Sequence, residues 1–253
     1  MCLLLLAWNV HPDYPFVFAG NRDEAYNRET RQADWWEDAP KVLGGRDLLA
    51  GGSWLGITRS GRFAVVTNYR DGKQEKNAAP SRGLLVRDYL ASDVSPGKLN
   101  EKLEVEAQQF NGFNLLYGNR DEIRYYSNRG GNNGVLPSGT HGLSNHLLNT
   151  PWPKVEHLRK GMTSMLQGTP DETRMLELLA NRAPAEDASL PDTGVGREME
   201  KLLSAPFIVG DRYGTRASTV IIRHHDGRVL LVERNVNNKG KETSSNRFEF
   251  LLE

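Results

Sequence analysis

The chain has 253 residues, 38% of them hydrophobic and 25% charged, with 32 basic residues balancing 32 acidic ones. These proportions exclude a disordered or fibrous chain and predict a single domain, residues 1–253, large enough to bury a two-layer core. A balanced charge supplies no field to attract nucleic acid or an anionic membrane, and one cysteine excludes an internal disulfide and disfavours a cysteine-based zinc centre. The leading apolar run from Met1 to Ala7 lacks a basic leader and is too short for export or spanning, so the expected location is the cytoplasm.

Two apolar runs, Cys2 to Ala7 and Pro15 to Ala19, flank His11-Pro12-Asp13-Tyr14 and predict an opening hairpin. Trp54 to Thr58 and Phe63 to Thr67 predict a second one around Ser60-Gly61, ending at Asn68. Ser81 is placed to cap a helix reaching about Ser92, and Ser95-Pro96 to open another reaching about Phe110. Gly112 to Gly118 and Ile123 to Ser127 then read as strands around Asn119-Arg120-Asp121, with 130–134 as a loop. Apolar residues at helical spacing predict helices over Pro153 to Gln167 and, behind a Thr169 cap, over Pro170 to Asn181. Residues 183–196 read as an exposed loop. Ser218 to Ile222 and Val229 to Glu233 bracket the hairpin signal Asp226-Gly227, and Phe248 to Leu252 closes the chain.

Strands, then helices, then strands predict a mixed α+β fold rather than alternating βαβ units. A four-layer αββα sandwich fits that order, as do other α+β folds.

Cys2 is the most informative position. Removal of Met1 would leave one residue carrying both a thiol and a free α-amine, with ordinary pKa values of about 8.5 and about 7.7–8.0, so nucleophile and base share a residue. Read alone, a single cysteine is more often a small buried hydrophobe. Gly20-Asn21-Arg22-Asp23-Glu24 follows a strand whose hairpin partner starts at Cys2. An Arg22 guanidinium 4 Å from a thiolate is worth about 4 kcal/mol at an effective dielectric of about 20. Asp23 is placed to orient the α-amine by accepting its hydrogen bond. Asn68 and Asn145, at expected strand ends, are candidate oxyanion donors, worth roughly 2.7–4 kcal/mol each; either also suits a plain turn. The pair Trp35-Trp36 reads either as an exposed aromatic patch for lipid or a partner, or as packing against its own hairpin.

Taken together, several segments resemble the NRDE-motif family, also called the Transport and Golgi organisation protein 2 family. They are the Met1-Cys2 start, Gly20 to Glu24, Arg46 to Gly56, Gly61-Arg62-Phe63, Thr67 to Arg70, Gly142 to Asn145 and Thr150-Pro151-Trp152-Pro153-Lys154-Val155. More distantly the pattern is similar to the cholylglycine hydrolase and penicillin V acylase branch of N-terminal-nucleophile enzymes, where an arginine on a late strand closes the site; Arg216 is the matching position. The resemblance implies the αββα fold of N-terminal-nucleophile hydrolases and links to haem mobilisation and acyl-CoA or lipid metabolism.

Two functions follow. The first is hydrolysis of an amide or thioester by Cys2, with Arg22, Asp23, Asn68, Asn145 and Arg216 around it and no cofactor required. The second is a non-catalytic carrier whose cleft holds haem or acyl-CoA as cargo. Cys2, His11, His141 and His146 are the haem-ligand candidates on that reading. Substrate identity and oligomeric state have no signature in the chain.

Overall fold

A computed structural model describes residues 2–73, 76 and 78–253, and two antiparallel sheets organise them. The first strands are β1 (Cys2–Trp8), β2 (Phe16–Ala25), β3 (Thr30–Trp35), β4 (Val42–Asp47), β5 (Leu55–Thr58) and β6 (Phe63–Asn68). Helices α1 (Gly83–Leu90) and α2 (Pro96–Glu106) precede β7 (Phe113–Gly118), β8 (Ile123–Ser127), β9 (Gly134–Val135) and β10 (Gly139–Leu143). Three further helices, α3 (Pro153–Met165), α4 (Glu172–Leu179) and α5 (Arg197–Leu203), lead to β11 (Tyr213–Arg223), β12 (Arg228–Val236) and β13 (Glu242–Leu251). Contacts divide the chain into two units. One holds residues up to Asn27, Asp71–Lys73 and Pro137–Leu251; the other holds Arg28–Arg70, the described part of 74–136, and Leu252–Glu253.

The first unit is built on a six-stranded sheet in the order β10-β1-β2-β11-β12-β13. The opening hairpin forms as expected, with registers running from Cys2↔Arg22 to Trp8↔Phe16. Asn9 takes the left-handed conformation at φ 50°, one of the few non-glycine types that tolerates it, and its N–H donates to the Pro15 carbonyl at 2.8 Å. Odd-numbered residues of both strands, Leu3, Leu5, Ala7, Val17 and Ala19, are buried in one cluster with Val155, Leu158 and Met162 of α3 and Met175, Leu176 and Leu179 of α4. Strand alternation therefore sends odd residues of β1 and β2 toward the helices and even ones to the opposite face. Leu4 and Leu6 are buried on that face too, which is why β1 reads as an unbroken apolar run.

The second unit is a seven-stranded meander in sequence order β3 to β9. Helices α1 and α2 cover one face, where Val86, Tyr89, Leu90, Leu99 and Leu103 pack with Val66, Phe113, Leu115 and Tyr117. Each unit thus contributes a sheet and a helical layer, the α+β composition expected.

Several expectations change in detail. The cap of α4 is Asp171, whose Oδ1 accepts from the Arg174 N–H at 3.0 Å, not Thr169. An aspartate one residue before the helix reaches the exposed N3 donor; a threonine three residues before it does not. Ser95 caps α2 as expected, accepting from Lys98 N–H. At α1 the flanking residue is Arg82, with no side-chain cap, and Ser81 Oγ accepts from Gly83 N–H at 3.4 Å. The segment 183–196 carries only a short 3₁₀ turn at Asp187–Ser189, and α5 follows it. Trp36 packs against its own hairpin: it is buried, its Nε1 donates to the Gly44 carbonyl at 2.8 Å, and the Arg46 guanidinium lies 4.3 Å over the ring. Among the described residues, no helix is long and apolar enough to cross a membrane.

Candidate functional site

The β1–β2 register sets Cys2 directly opposite Arg22, so the two side chains leave the sheet on the same face, the one away from α3 and α4. Cys2 is half-buried. Arg22 is 6% exposed, with Glu24, also on an even position, 3.8 Å away. The charged run expected after the strand lies inside it, because β2 is paired on both sides, to β1 and to β11.

Asp23, 2% exposed, points to the helix face by the same alternation. Its Oδ1 accepts from Thr215 Oγ1 at 2.7 Å, and its backbone carbonyl accepts from the Tyr213 hydroxyl at 3.0 Å. Thr215 Oγ1 in turn accepts from the Ile208 N–H at 2.9 Å, which fixes the direction of its own proton toward Asp23. Beside Asp23, Asn21 is held by the carbonyls of Leu179 and Pro206 and by Ser218 Oγ, tying β2 to the chain around α4 and to β11. A bulge between Thr215 and Ala217 lets both Ser218 and Thr215 face the helices. Arg216 is the extra residue, and its Nη1 donates to the Ala25 carbonyl at 2.8 Å.

Asn145, 1% exposed, lies two residues past β10. Ser144 Oγ is 3.4 Å from the Cys2 carbonyl oxygen and 3.3 Å from Asn145 Oδ1, so a hydroxyl with one proton links the two. Cys2, Arg22, Asp23, Asn145 and Arg216 all belong to the first unit; Asn68 closes β6 in the second, where it pairs with Phe113. Met1 lies outside the described residues.

Burial pushes the Cys2 thiol up from its ordinary value; the Asp23 charge adds to the rise, while the Asp23 backbone N–H bonded to the sulfur and the Arg22 charge oppose it. Burial also pushes the Asp23 carboxyl up, to about 6, against the opposing pull of the N-terminal ammonium, Lys154, the Thr215 hydrogen bond and Arg22. Burial holds the Tyr213 phenol far above its usual range, so it acts only as a neutral donor. Near neutral pH the site therefore presents a thiol, a carboxylate and a guanidinium, a set able to hold and move a proton around a nucleophile but dependent on a base to expose it.

Four members escape sequence reasoning: Ser144, Lys154, Tyr213 and Thr215. Ser144 and Lys154 stand in segments that carry the family resemblance, Thr215 stands next to Arg216, and each becomes visible only once strand pairing is known. The histidines have local partners. His141 Nε2 lies 2.9 Å from the Pro137 carbonyl and its Nδ1 lies 3.1 Å from Asn149 Nδ2; burial lowers its pKa. His146 Nδ1 bonds Thr150 Oγ1 at 2.9 Å and its ring packs on Trp152, while His11 Nδ1 accepts from Asp13 N–H. Both ring nitrogens of His141 are engaged, which leaves it a poor haem ligand. Among the described residues, no group of three or more His, Cys, Asp or Glu side chains gathers to hold a metal.

The family described as Transport and Golgi organisation 2 matches residues 1–238. A Mus musculus protein, Transport and Golgi organization 2 homolog, is 35% identical over 282 aligned residues, covering 100% of both chains. The Bos taurus Transport and Golgi organization protein 2 homolog is 37% identical over 259 residues, covering 93% of each. Among solved structures, the Caenorhabditis elegans N-acylethanolamine-hydrolyzing acid amidase ortholog is similar in fold, with a TM-score of 0.50 at 13% identity, over 87% of this chain and 92% of that one. At that identity the likeness concerns the fold, which is N-terminal-nucleophile hydrolase-like, as the sequence resemblance implied.

Proposed function

The chain belongs to the Transport and Golgi organisation 2 family, and from that premise we propose that it hydrolyses an acyl amide or thioester with Cys2 as nucleophile. The observation that carries this reading is the Cys2↔Arg22 register, which joins the lone thiol to a buried guanidinium beside Asp23. Removal of Met1 frees the Cys2 α-amine. The amine takes the thiol proton, sulfur bonds to the acyl carbon, and the carbonyl π pair moves to oxygen. The Asn145 amide and a backbone N–H hold that oxyanion. The carbonyl reforms and the leaving amine or thiolate departs with the proton from the α-ammonium. Water then attacks the thioester, gives its proton to the amine, and releases the carboxylic acid and the free thiol. Asp23 orients the amine, Arg22 favours the thiolate, and Arg216 closes the rim. The reaction runs in the cytoplasm on a small acyl substrate and requires no cofactor.

Intact-mass analysis checks the loss of Met1. Turnover of acyl-amide and acyl-thioester probes is expected to fall at least about a thousandfold in Cys2→Ala, with the folded state intact; unchanged turnover sinks the reading. One observation favours a carrier instead: burial keeps the thiol protonated, which suits a cleft that holds haem or acyl-CoA without reacting. Saturable, stoichiometric binding of haem or of a long-chain acyl-CoA, with no turnover and no sensitivity to Cys2→Ala, would establish that second reading.

A further inference from the structure

A buried cation stands beside this site without a role in the steps above. Lys154 is 5% exposed and occupies the first turn of α3, immediately after the helix-opening Pro153. A cation there is disfavoured twice, by desolvation and by the positive end of the helix dipole, so its charge must be offset by acceptors close by. One is the Leu203 carbonyl, which accepts from Lys154 Nζ at 2.7 Å and fixes where the charge sits. Helix α3 packs on β1 and β10, the face to which alternation sends the Asp23 carboxylate. We propose that Lys154 is a positioning residue: anchored on the Leu203 carbonyl, its ammonium holds the Asp23 carboxylate ionised behind the Cys2 thiol.

The groups acting on Asp23 come from each neighbouring element: Cys2 from β1, Arg22 from its own strand, Thr215 and Tyr213 from β11, and Lys154 from α3. Thr215 supplies a neutral hydrogen bond and Tyr213 binds the backbone carbonyl, so the positive charges acting on Asp23 are the N-terminal ammonium, Lys154 and Arg22, of which the two side chains keep their charge when the amine acts as a neutral base. Arg22 leaves the sheet on the thiol's face; Lys154 is the cation on the carboxylate's face. In the proposed chemistry, an ionised Asp23 accepts from the α-amine, and Lys154 limits how far that anion raises the amine's own pKa, keeping the base neutral before attack. The proposal rests on the hydrolase reading for this purpose but not for its test, which follows a titration and needs no turnover.

Because Cys2 is the sole cysteine, alkylation of the full chain by iodoacetamide reports on one thiol. Thiolate forms more readily while Asp23 is neutral, so a plot of log rate against pH is expected to bend near pH 6. Asp23→Asn removes the bend. Lys154→Met moves it up by at least about one pH unit, and Lys154→Arg restores it to within a few tenths of a unit. A folded Lys154→Met whose bend stays near the wild-type pH overturns the proposal. If Lys154→Met fails to fold, the double variant Asp23→Asn/Lys154→Met decides: recovery of the fold supports the charge pair, since the stranded carboxylate has been removed, and continued failure overturns it. A normal bend with no hydrolysis of any probe would end the hydrolase reading and leave Lys154 in its place.

Discussion

Each unit buries a polar cluster within a sheet, and the two differ in one respect that matters. In the second unit, Asn114 is fully buried on β7; its Nδ2 donates to Thr67 Oγ1 at 3.1 Å, and its Oδ1 accepts from the Tyr125 hydroxyl at 2.7 Å. Those partners are all neutral. In the first unit, Asp23 is buried as deeply with one hydroxyl partner of the same kind, Thr215, but it carries a charge and stands among other charges. A neutral network locks strands together at little electrostatic cost; a buried carboxylate costs stability whenever it ionises, so it is kept for what its charge does.

The contrast breaks first on pH. Asp23 binds its proton more tightly in the folded chain, with a pKa near 6 against an ordinary value of 3.8, so the stability it contributes is greatest below about pH 4 and is lost as pH rises toward 6. The loss amounts to about 3 kcal/mol, and Asp23→Asn is expected to flatten that part of a stability–pH curve followed by urea unfolding. A wild-type curve already flat from pH 4 to 6 would refute the charged-cluster description. Next in size, Asn114→Ala strands the Thr67 and Tyr125 groups and is expected to cost about 2 kcal/mol at every pH, with Cys2 alkylation unaltered. A pH-dependent cost would show that the second cluster is not neutral. Smallest, Tyr125→Phe removes one hydrogen bond and is expected to cost about 1 kcal/mol by the same measurement.

The parts of the fold that were legible are those where apolar periodicity and turn chemistry agree. The Cys2 hairpin, the Asp226-Gly227 hairpin and the helical face of Val155, Leu158 and Met162 appear where they were expected. The strands β3 and β4 were not legible. Thr30–Trp35 is an edge strand that buries only Ala33, so it has no alternation to read. In Val42–Asp47 the residues Gly44 and Gly45 suggest a turn, yet Gly45 is needed because the Trp54 ring occupies the place where a Cβ would stand. At the site, Cys2, Arg22, Asp23 and Asn145 stand out by residue type, and the first three follow from the hairpin. Lys154 and Thr215 do not, because their relation to Asp23 depends on a helix placed over the sheet and on a strand irregularity, neither of which local sequence encodes.

That irregularity sets the phase of β11. With Arg216 as the extra residue, even positions above it and odd positions below it look toward the same side. Deleting residue 216 would join Thr215 directly to Ala217 and leave them opposite Asp23 and Arg22 in plain alternation, so the threonine hydroxyl would keep its side, and what would be lost is the Arg216 side chain with its bond to the Ala25 carbonyl. The bulge thus lets β11 carry one more charged side chain at the edge of the site without turning its neighbours away from Asp23.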